Sequence, residues 1–285
     1  MGIYLGSNLI DTKIVENKDD VNAFIEGTIN FSINNLSGTL RAYTYERCSN
    51  LINVSFPNCT SIDVNAFAQC SALTTVNFPN CSVINGAYNA FGSLSGAFYN
   101  CSALTSVSFP KCTLIGSCTF EFCIALTEVN FPSCTRIYDC AFANCSALTS
   151  ISFPQCTSIG TYNGLLTGGI AFGNCSALTE VNFPSCSTIG SAAFQSCISL
   201  SIASFPICTK IDSTAFSTCY NLISLYLNSV SQVTTLGSSV FYSTPIGGYS
   251  ASAGRYGSVF VPASLYNDFI VASYWSDIAD RIVSV

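Results

Sequence analysis

Residues 123–145 read CIALTEVNFPSCTRIYDCAFANC, and the chain repeats this motif with small changes. The Cys-x-x-Leu group that opens the motif occurs eight times, at Cys48, Cys70, Cys101, Cys123, Cys145, Cys175, Cys197 and Cys219. Five of the seven intervals are 22 residues long, and the intervals after Cys70 and Cys145 are 31 and 30 residues. A fixed period of this size indicates a solenoid, in which each repeat forms one turn and stacks on the next.

Each repeat predicts one short strand followed by two further buried residues. Equivalent residues of successive repeats should form two columns along the stack. In the quoted repeat, Val129 and Phe131 point inward, and Pro132 ends the strand because proline cannot donate to a ladder. The strands recur at one phase and should therefore pair in parallel. A single turn buries too little apolar surface to offset its conformational entropy, so the turns should share one core. The two further columns are Ile62, Ile84, Ile115, Ile137, Ile159, Ile189, Ile211 and Phe67, Phe98, Phe120, Phe142, Phe172, Phe194, Phe216.

The motif L-x-x-V-x-F-P-x-C-x-x-I resembles leucine-rich repeats. The longer form A-F-x-x-C-x-x-L-x-x-[VI]-x-F-P is similar to the BspA-like bacterial branch, although phenylalanine stands where leucine or isoleucine is common. The resemblance implies an α/β-type solenoid that is mainly β, a right-handed stack with one parallel sheet on the concave face and short turns on the convex face. We expect about eight turns over residues 40–241, with insertions near 86–100 and 160–170. Residues 1–39 should form an N-terminal cap, and residues 242–285 a small, partly helical C-terminal cap.

Composition and charge exclude several classes of function. The formal net charge is −6 and the nine basic residues form no cluster, so a nucleic-acid partner is not expected. Every apolar run is shorter than the ~20 residues of a membrane span, and the N-terminus shows no export signal. The chain has no histidine, which removes Ser-His-Asp and Cys-His catalysis, and no cofactor motif is present. Glu128 and Glu180 share a face, but at roughly 10 Å, two strand spacings, they lie beyond the glycosidase range.

The 17 cysteines fall largely into the repeat. Those outside the two periodic columns are Cys118 and Cys140, which occupy equivalent positions on adjacent turns. The column cysteines should be free, buried thiols that pack as small hydrophobes. For Cys118 and Cys140, packed thiols are favoured over a disulfide, which their separation of about one strand spacing would allow. A zinc site built from these two with Cys123 and Cys145 is a third alternative, and it needs all four thiolates to converge.

Two surfaces are candidates for binding. The outward residues of the strands form a polar, mildly acidic ribbon, a kind of surface that solenoids use for extended partners. The insertions are the second surface, because loops on a rigid scaffold often carry contacts. The candidate residues on the strands are Asn53, Asn77, Glu128, Asn130, Glu180, Asn182 and Tyr226, and those in the insertions are Tyr88, Phe91, Tyr99, Tyr162 and Leu165.

The sequence therefore favours a binding scaffold without enzymatic activity, whose partner is a protein or a glycan. The resemblance implies an extracellular or cell-surface, adhesin-like role. The alternative is a structural or assembly component of a larger bacterial or phage particle.

Overall fold

The computed structural model describes residues 3–5, 8–10, 29–32, 37–88, 94–160, 169–248 and 256–285. Short parallel strands, stacked in register, run along most of this part of the chain and form two ladders. The first ladder, named the strand face here, contains Ile29–Ser32, Leu51–Ser55, Thr75–Asn77, Ser106–Ser108, Glu128–Asn130, Ser150–Ser152, Glu180–Asn182, Ile202–Ser204, Ser224–Tyr226, Ser258–Val261 and Ile282–Ser284. Val107 pairs with Val129, and Val129 with Ile151, which confirms stacking at the period of the sequence.

The strand face is divided at the two long repeats. The sequence predicted one continuous sheet, but the hydrogen-bonded pairing stops after Thr75–Asn77 and again after Ser150–Ser152. Three sheets result, of three, three and five strands. Both breaks occur where an insertion separates one strand from the next. The turns remain stacked at both breaks, because strands of the second ladder stay paired across each insertion, as Ile84 with Ile115 and Ile159 with Ile189.

The second ladder, named the isoleucine ladder, is a continuous sheet of nine strands in the described part of the chain. The sequence predicted its inward column, but predicted only turns on this side of the stack. Leu40 pairs with Ile62, as expected for a first member of the column. The strands are Gly38–Leu40, Cys59–Ile62, Val83–Ile84, Leu114–Ile115, Arg136–Ile137, Ser158–Ile159, Thr188–Ile189, Lys210–Ile211 and Thr235–Leu236.

Two columns of aromatic rings fill the core between the ladders. Rings within a column are stacked nearly parallel, as Phe98 and Phe120 show with centroids 5.2 Å apart and an interplanar angle of 1°. Rings of different columns meet edge to face, as Phe120 and Phe131 do at 6.0 Å and 63°. These are the two arrangements that the quadrupole of an aromatic ring favours. The core is therefore one apolar spine rather than a series of separate clusters.

The stack continues beyond the repeats predicted at both ends. Ile29–Ser32 pairs with Leu51–Ser55 before the first cysteine motif, and Ser258–Val261 and Ile282–Ser284 extend the strand face after the last one. The number of turns is thus greater than the eight predicted. Two antiparallel hairpins accompany the stack, one of Ile3–Leu5 with Asn8–Ile10 and one of Gly86–Tyr88 with Leu94–Gly96.

Short helices close the C-terminal end. The 3-10 helix Ala263–Leu265 begins after Pro262, and the α-helix Tyr266–Phe269 and the 3-10 helix Ser276–Arg281 follow. Trp275 is fully buried, and its ring centroid lies 6.0 Å from that of Phe241 and 5.2 Å from that of Phe269. Its Nε1 donates a hydrogen bond to the Thr234 carbonyl at 2.6 Å. The tail therefore packs on the last turn, as the sequence predicted.

Candidate binding surfaces

The strand face presents rows of amides and hydroxyls that are aligned across the turns. Asn77 is exposed and donates from Nδ2 to Ser55 Oγ at 3.0 Å, and Asn130 does the same to Ser108 Oγ at 3.4 Å. Asn53 is half-buried and accepts a hydrogen bond from the Thr75 hydroxyl. Parallel register brings equivalent side chains of successive turns into contact, so these rows follow directly from the repeat.

The two candidate carboxylates of this face lie in different sheets. Glu128 and Asn130 belong to the middle sheet, and Glu180 and Asn182 begin the next one. All four side chains are exposed, and the strand Ser150–Ser152 lies between the two pairs. The arrangement gives two separate negative positions on a hydroxyl-rich surface. It does not give a pair of carboxylates that converge on one bond.

Tyr226 has a partner that sequence reasoning missed. Phe260 pairs with Tyr226 in the sheet, and their rings stack with centroids 4.6 Å apart and an interplanar angle of 11°. Both side chains are half-buried. Val283, on the last strand, pairs with Phe260 and is exposed. The segment 258–262, Ser-Val-Phe-Val-Pro, repeats the strand pattern that proline ends elsewhere, and this signal could have identified Phe260. The C-terminal end of the strand face is thus apolar.

The insertions are only partly described. Phe91, Tyr162 and Leu165 lie outside the described residues, as does the side chain of Tyr88. Tyr99 is half-buried, and its ring meets Phe122 edge to face at 5.8 Å. Burial raises the pKa of Tyr99, and the nearby Glu121 and Cys118 raise it further. The contribution of the loops to binding therefore stays a prediction.

From Cys59 onward, each column cysteine donates a hydrogen bond from its thiol to a backbone carbonyl. In the first column, Cys123 Sγ donates to the Phe98 carbonyl at 3.3 Å and Cys145 Sγ to the Phe120 carbonyl at 3.1 Å. In the second column, Cys134 Sγ donates to the Arg136 carbonyl two residues on, at 3.3 Å. Burial raises the pKa of these thiols, as for Cys123, which reaches about 12. They are packing groups that also serve as weak donors.

Cys118 and Cys140 form a small cluster apart from the main core. They pack with Ala143, and Ile170 covers them, whereas Cys123 and Cys145 belong to the aromatic spine. The four cysteines are therefore not brought together, and the zinc site that needed all four is not formed. Both thiols of the pair are free and buried. A hydrogen bond to Cys140, together with burial, raises the pKa of Cys118.

Glu121 completes this cluster, and sequence reasoning missed it. Its carboxylate and the Sγ atoms of Cys118 and Cys140 all lie within 4.8 Å of one another. Burial raises the pKa of Glu121 to about 7, against a lowering effect of the hydrogen bond from Cys118. The available signal was a charged residue directly after a phenylalanine of the column, at a position that varies between turns and is alanine at 68 and 143.

The two ladders, the shared aromatic spine and the exposed polar face define a β-solenoid repeat protein. A family model described as the BspA type leucine rich repeat region matches residues 22–96, 94–163 and 168–252, in six copies. The chain belongs to this family, whose members commonly mediate protein–protein interaction and are typically binding scaffolds rather than enzymes. No curated protein matches the chain by sequence. In the described residues, no helix is long and apolar enough to cross a bilayer.

Solved structures of bacterial leucine-rich repeat proteins are similar to the chain at low sequence identity. A leucine-rich repeat protein from Bacteroides ovatus is 20% identical, with a TM-score of 0.53, over 83% of this chain and 67% of that one. A leucine rich cell surface protein from Faecalibacterium prausnitzii is 19% identical, with a TM-score of 0.40, over 92% of this chain and 80% of that one. The likeness to the Bacteroides ovatus structure shows the fold and no more.

Proposed function

We propose that the chain is a non-enzymatic scaffold whose strand face binds an extended segment of a partner protein at the cell surface. The observation that carries the proposal is the composition of this face at successive turns. Rows of exposed hydroxyls and amides lead from Asn77 past Glu128 and Glu180 to the aromatic pair Tyr226 and Phe260. An extended chain could follow such a surface over many turns, because solenoids present concave surfaces of this length.

The chemistry of the face indicates what the partner segment should carry. Glu128 and Glu180 are its charged residues among the described positions, so a basic residue of the partner would be complementary. Tyr226 and Phe260 offer a preformed apolar platform, and aromatic residues contribute much of the binding energy at interfaces. The side-chain hydrogen bonds within the rows, such as Asn77 to Ser55, hold the donors and acceptors in place before a partner arrives.

A peptide-display experiment tests the proposal with the whole chain as bait. Random peptides are selected on the wild-type chain, and the selected peptides are titrated against Tyr226→Ser/Phe260→Ser and against Glu128→Gln/Glu180→Gln. We expect the first variant to bind about 30-fold more weakly, the loss typical of interface residues that contribute most energy. The second should weaken binding less and reduce its salt dependence.

Tyr242→Ser is the matched control, because Tyr242 is an aromatic residue 65% exposed outside the strand face. Its substitution should leave binding unchanged. If no peptide is enriched, or if every variant binds equally well, the strand face is not the binding surface. A glycan array probed with the same variants would detect carbohydrate recognition instead. Failure of both screens would favour the assembly role that the sequence left as its alternative.

A further inference from the structure

A buried polar cluster lies between the two insertions, on the turns that contain Cys118 and Cys140. The first insertion ends at Gly96, where a Cβ would collide with the Cys118 carbonyl oxygen. The second ends at Gly169, where a Cβ would lie 3.1 Å from Asp139 Oδ1. Gly96 therefore lies against Cys118 itself, and Gly169 lies beside Asp139, the residue that precedes Cys140. These glycines permit a close approach that a side chain would prevent.

Backbone geometry fixes the two thiols on neighbouring turns. The Cys118 amide donates to the Asp139 carbonyl at 3.0 Å, which joins the two turns at the site. Both cysteines have a left-handed backbone, with φ of 57° for Cys118 and 58° for Cys140. Equivalent conformations at equivalent positions direct the two side chains the same way from adjacent turns. This accounts for the two Sγ atoms and a Glu121 oxygen lying within 4.8 Å of one another.

Glu121 is the observation that a packed thiol pair does not explain. Its side chain is only 5% exposed, and its Oε2 has no hydrogen-bond partner. Cys118 donates to the carboxylate, but a buried carboxylate with one unsatisfied oxygen is unfavourable unless a proton or a cation compensates its charge. A disulfide between Cys118 and Cys140 would remove the thiol donor and leave Glu121 with less compensation. A bound cation would satisfy all three groups together.

Further along the solenoid, the positions equivalent to Cys118, Glu121 and Cys140 carry neither thiols nor a carboxylate. Ala192, Gln195 and Thr214 are the counterparts of Cys118, Glu121 and Cys140, and a thiol–carboxylate–thiol set is absent there. The repeat pattern by itself therefore does not require these three residues. Their occurrence together on one pair of turns, beneath the insertions, indicates a local property.

We propose that Cys118, Glu121 and Cys140 bind one zinc-class divalent cation and so tie together the two turns that support the insertions. Two thiolates and a carboxylate are ligands that zinc accepts, and three protein ligands leave a fourth position for water. Tetrahedral ligation requires ligand atoms roughly 3.5–3.8 Å apart. The ligand atoms now lie within 4.8 Å of one another, so they must approach by no more than about 1.3 Å. Binding releases the thiol protons, so metal uptake is accompanied by acidification.

Titration of the reduced full-length chain with Co²⁺ and Zn²⁺ tests this proposal. We expect one tetrahedral Co²⁺ per chain with a thiolate charge-transfer band, displacement by Zn²⁺, and proton release in weakly buffered solution. Cys118→Ser/Cys140→Ser should abolish the band. Glu121→Gln should weaken affinity about tenfold or more while retaining the band.

Ala192→Ser/Thr214→Ser is the matched control, because it places two serines at the equivalent positions of another pair of turns. This variant should bind Co²⁺ and Zn²⁺ like the wild type. Circular dichroism establishes that each variant is folded, and Glu121→Gln keeps the test decisive if the double cysteine variant does not fold. Three results would overturn the proposal: no stoichiometric metal on the wild type, equal binding by Glu121→Gln, or a Cys118–Cys140 disulfide in the chain isolated without reductant.

Discussion

Phe78 and Phe109 stack with their ring centroids 5.8 Å apart, whereas Phe78 and Phe56, on the other side, are 5.2 Å apart. The wider spacing coincides with the first break in the strand face. It recurs at the second break, where Phe153 and Phe183 are also 5.8 Å apart. In the other aromatic column, Phe67 and Phe98 keep a spacing of 5.3 Å across the first insertion. At the insertions, the ring spacing is therefore wider in the aromatic column next to the strand face. At the first insertion it is unchanged in the opposite column.

Removal of the first insertion should close this gap. Deletion of residues 88–96 restores the 22-residue period and retains Phe98. We expect Ser106–Ser108 to pair with Thr75–Asn77 and the Phe78–Phe109 spacing to approach that of the unbroken turns. Hydrogen exchange of the amides at 106–108 should slow, because paired amides open less often. Unchanged exchange there, in a variant that remains folded, would show that the break has another cause.

Truncation of one ring in the spine should be strongly destabilising. Phe131 is fully buried, stacks on Phe109 at 5.4 Å and on Phe153 at 5.5 Å, and has rings of the other column at its edges. We expect Phe131→Ala to lower the free energy of unfolding by about 3–5 kcal/mol, since a cavity remains between turns. Urea denaturation measures the change. Tyr242→Ala, at a side chain 65% exposed, is the control and should cost less than about 0.5 kcal/mol.

Alkaline pH should unfold the protein. Burial raises the pKa of column thiols such as Cys112, Cys156 and Cys208 to about 12, so the folded state holds their protons more tightly than the unfolded state. The stability they confer is complete below the unfolded pKa, about 8.5, and falls as the pH rises toward 12. At pH 10 each thiol lowers the free energy of unfolding by about 2 kcal/mol. Ten such thiols would outweigh the 5–15 kcal/mol of a typical domain.

Urea denaturation between pH 8 and pH 10 measures this effect. Each column cysteine replaced by alanine should reduce the pH dependence by up to about 1.4 kcal/mol per pH unit. The triple variant Cys112→Ala/Cys134→Ala/Cys156→Ala is therefore less sensitive to pH, even though it is less stable at pH 8. A wild-type chain whose unfolding free energy is constant up to pH 10 would contradict the assignment of buried, protonated thiols.

The hydrogen bond of Trp275 should contribute to closure of the C-terminal end. Its Nε1 donates to the buried Thr234 carbonyl at 2.6 Å. Trp275→Phe retains an aromatic ring but loses the hydrogen-bond donor, and the smaller side chain leaves a cavity. We therefore expect the free energy of unfolding to fall by about 2–3 kcal/mol. Thermal unfolding followed by circular dichroism gives the change. Tyr274→Phe is the control, because Tyr274 is 47% exposed at the adjacent position; an equal loss in both variants would assign no particular role to Trp275.

The sequence alone determined the period, the inward columns and the register. A solenoid turn contacts mainly its neighbours, so one local rule, seen clearly in residues 123–145, fixes the pairing of Val129 with Val107 and Ile151. The isoleucine and phenylalanine columns, such as Ile137 and Phe142, follow from the same rule. These features depend on patterns that repeat along the chain or stand next to the repeats.

Only the tertiary structure decided what happens where the repeat is interrupted. The strand face is divided where the insertions occur, so Glu128 and Glu180 lie in different sheets. Phe260 meets Tyr226 because the chain returns to the sheet after a long excursion, and Glu121 meets Cys140 because adjacent turns bring positions 19 residues apart into contact. Such contacts depend on the conformation of irregular segments and on burial, which the periodic sequence pattern does not specify.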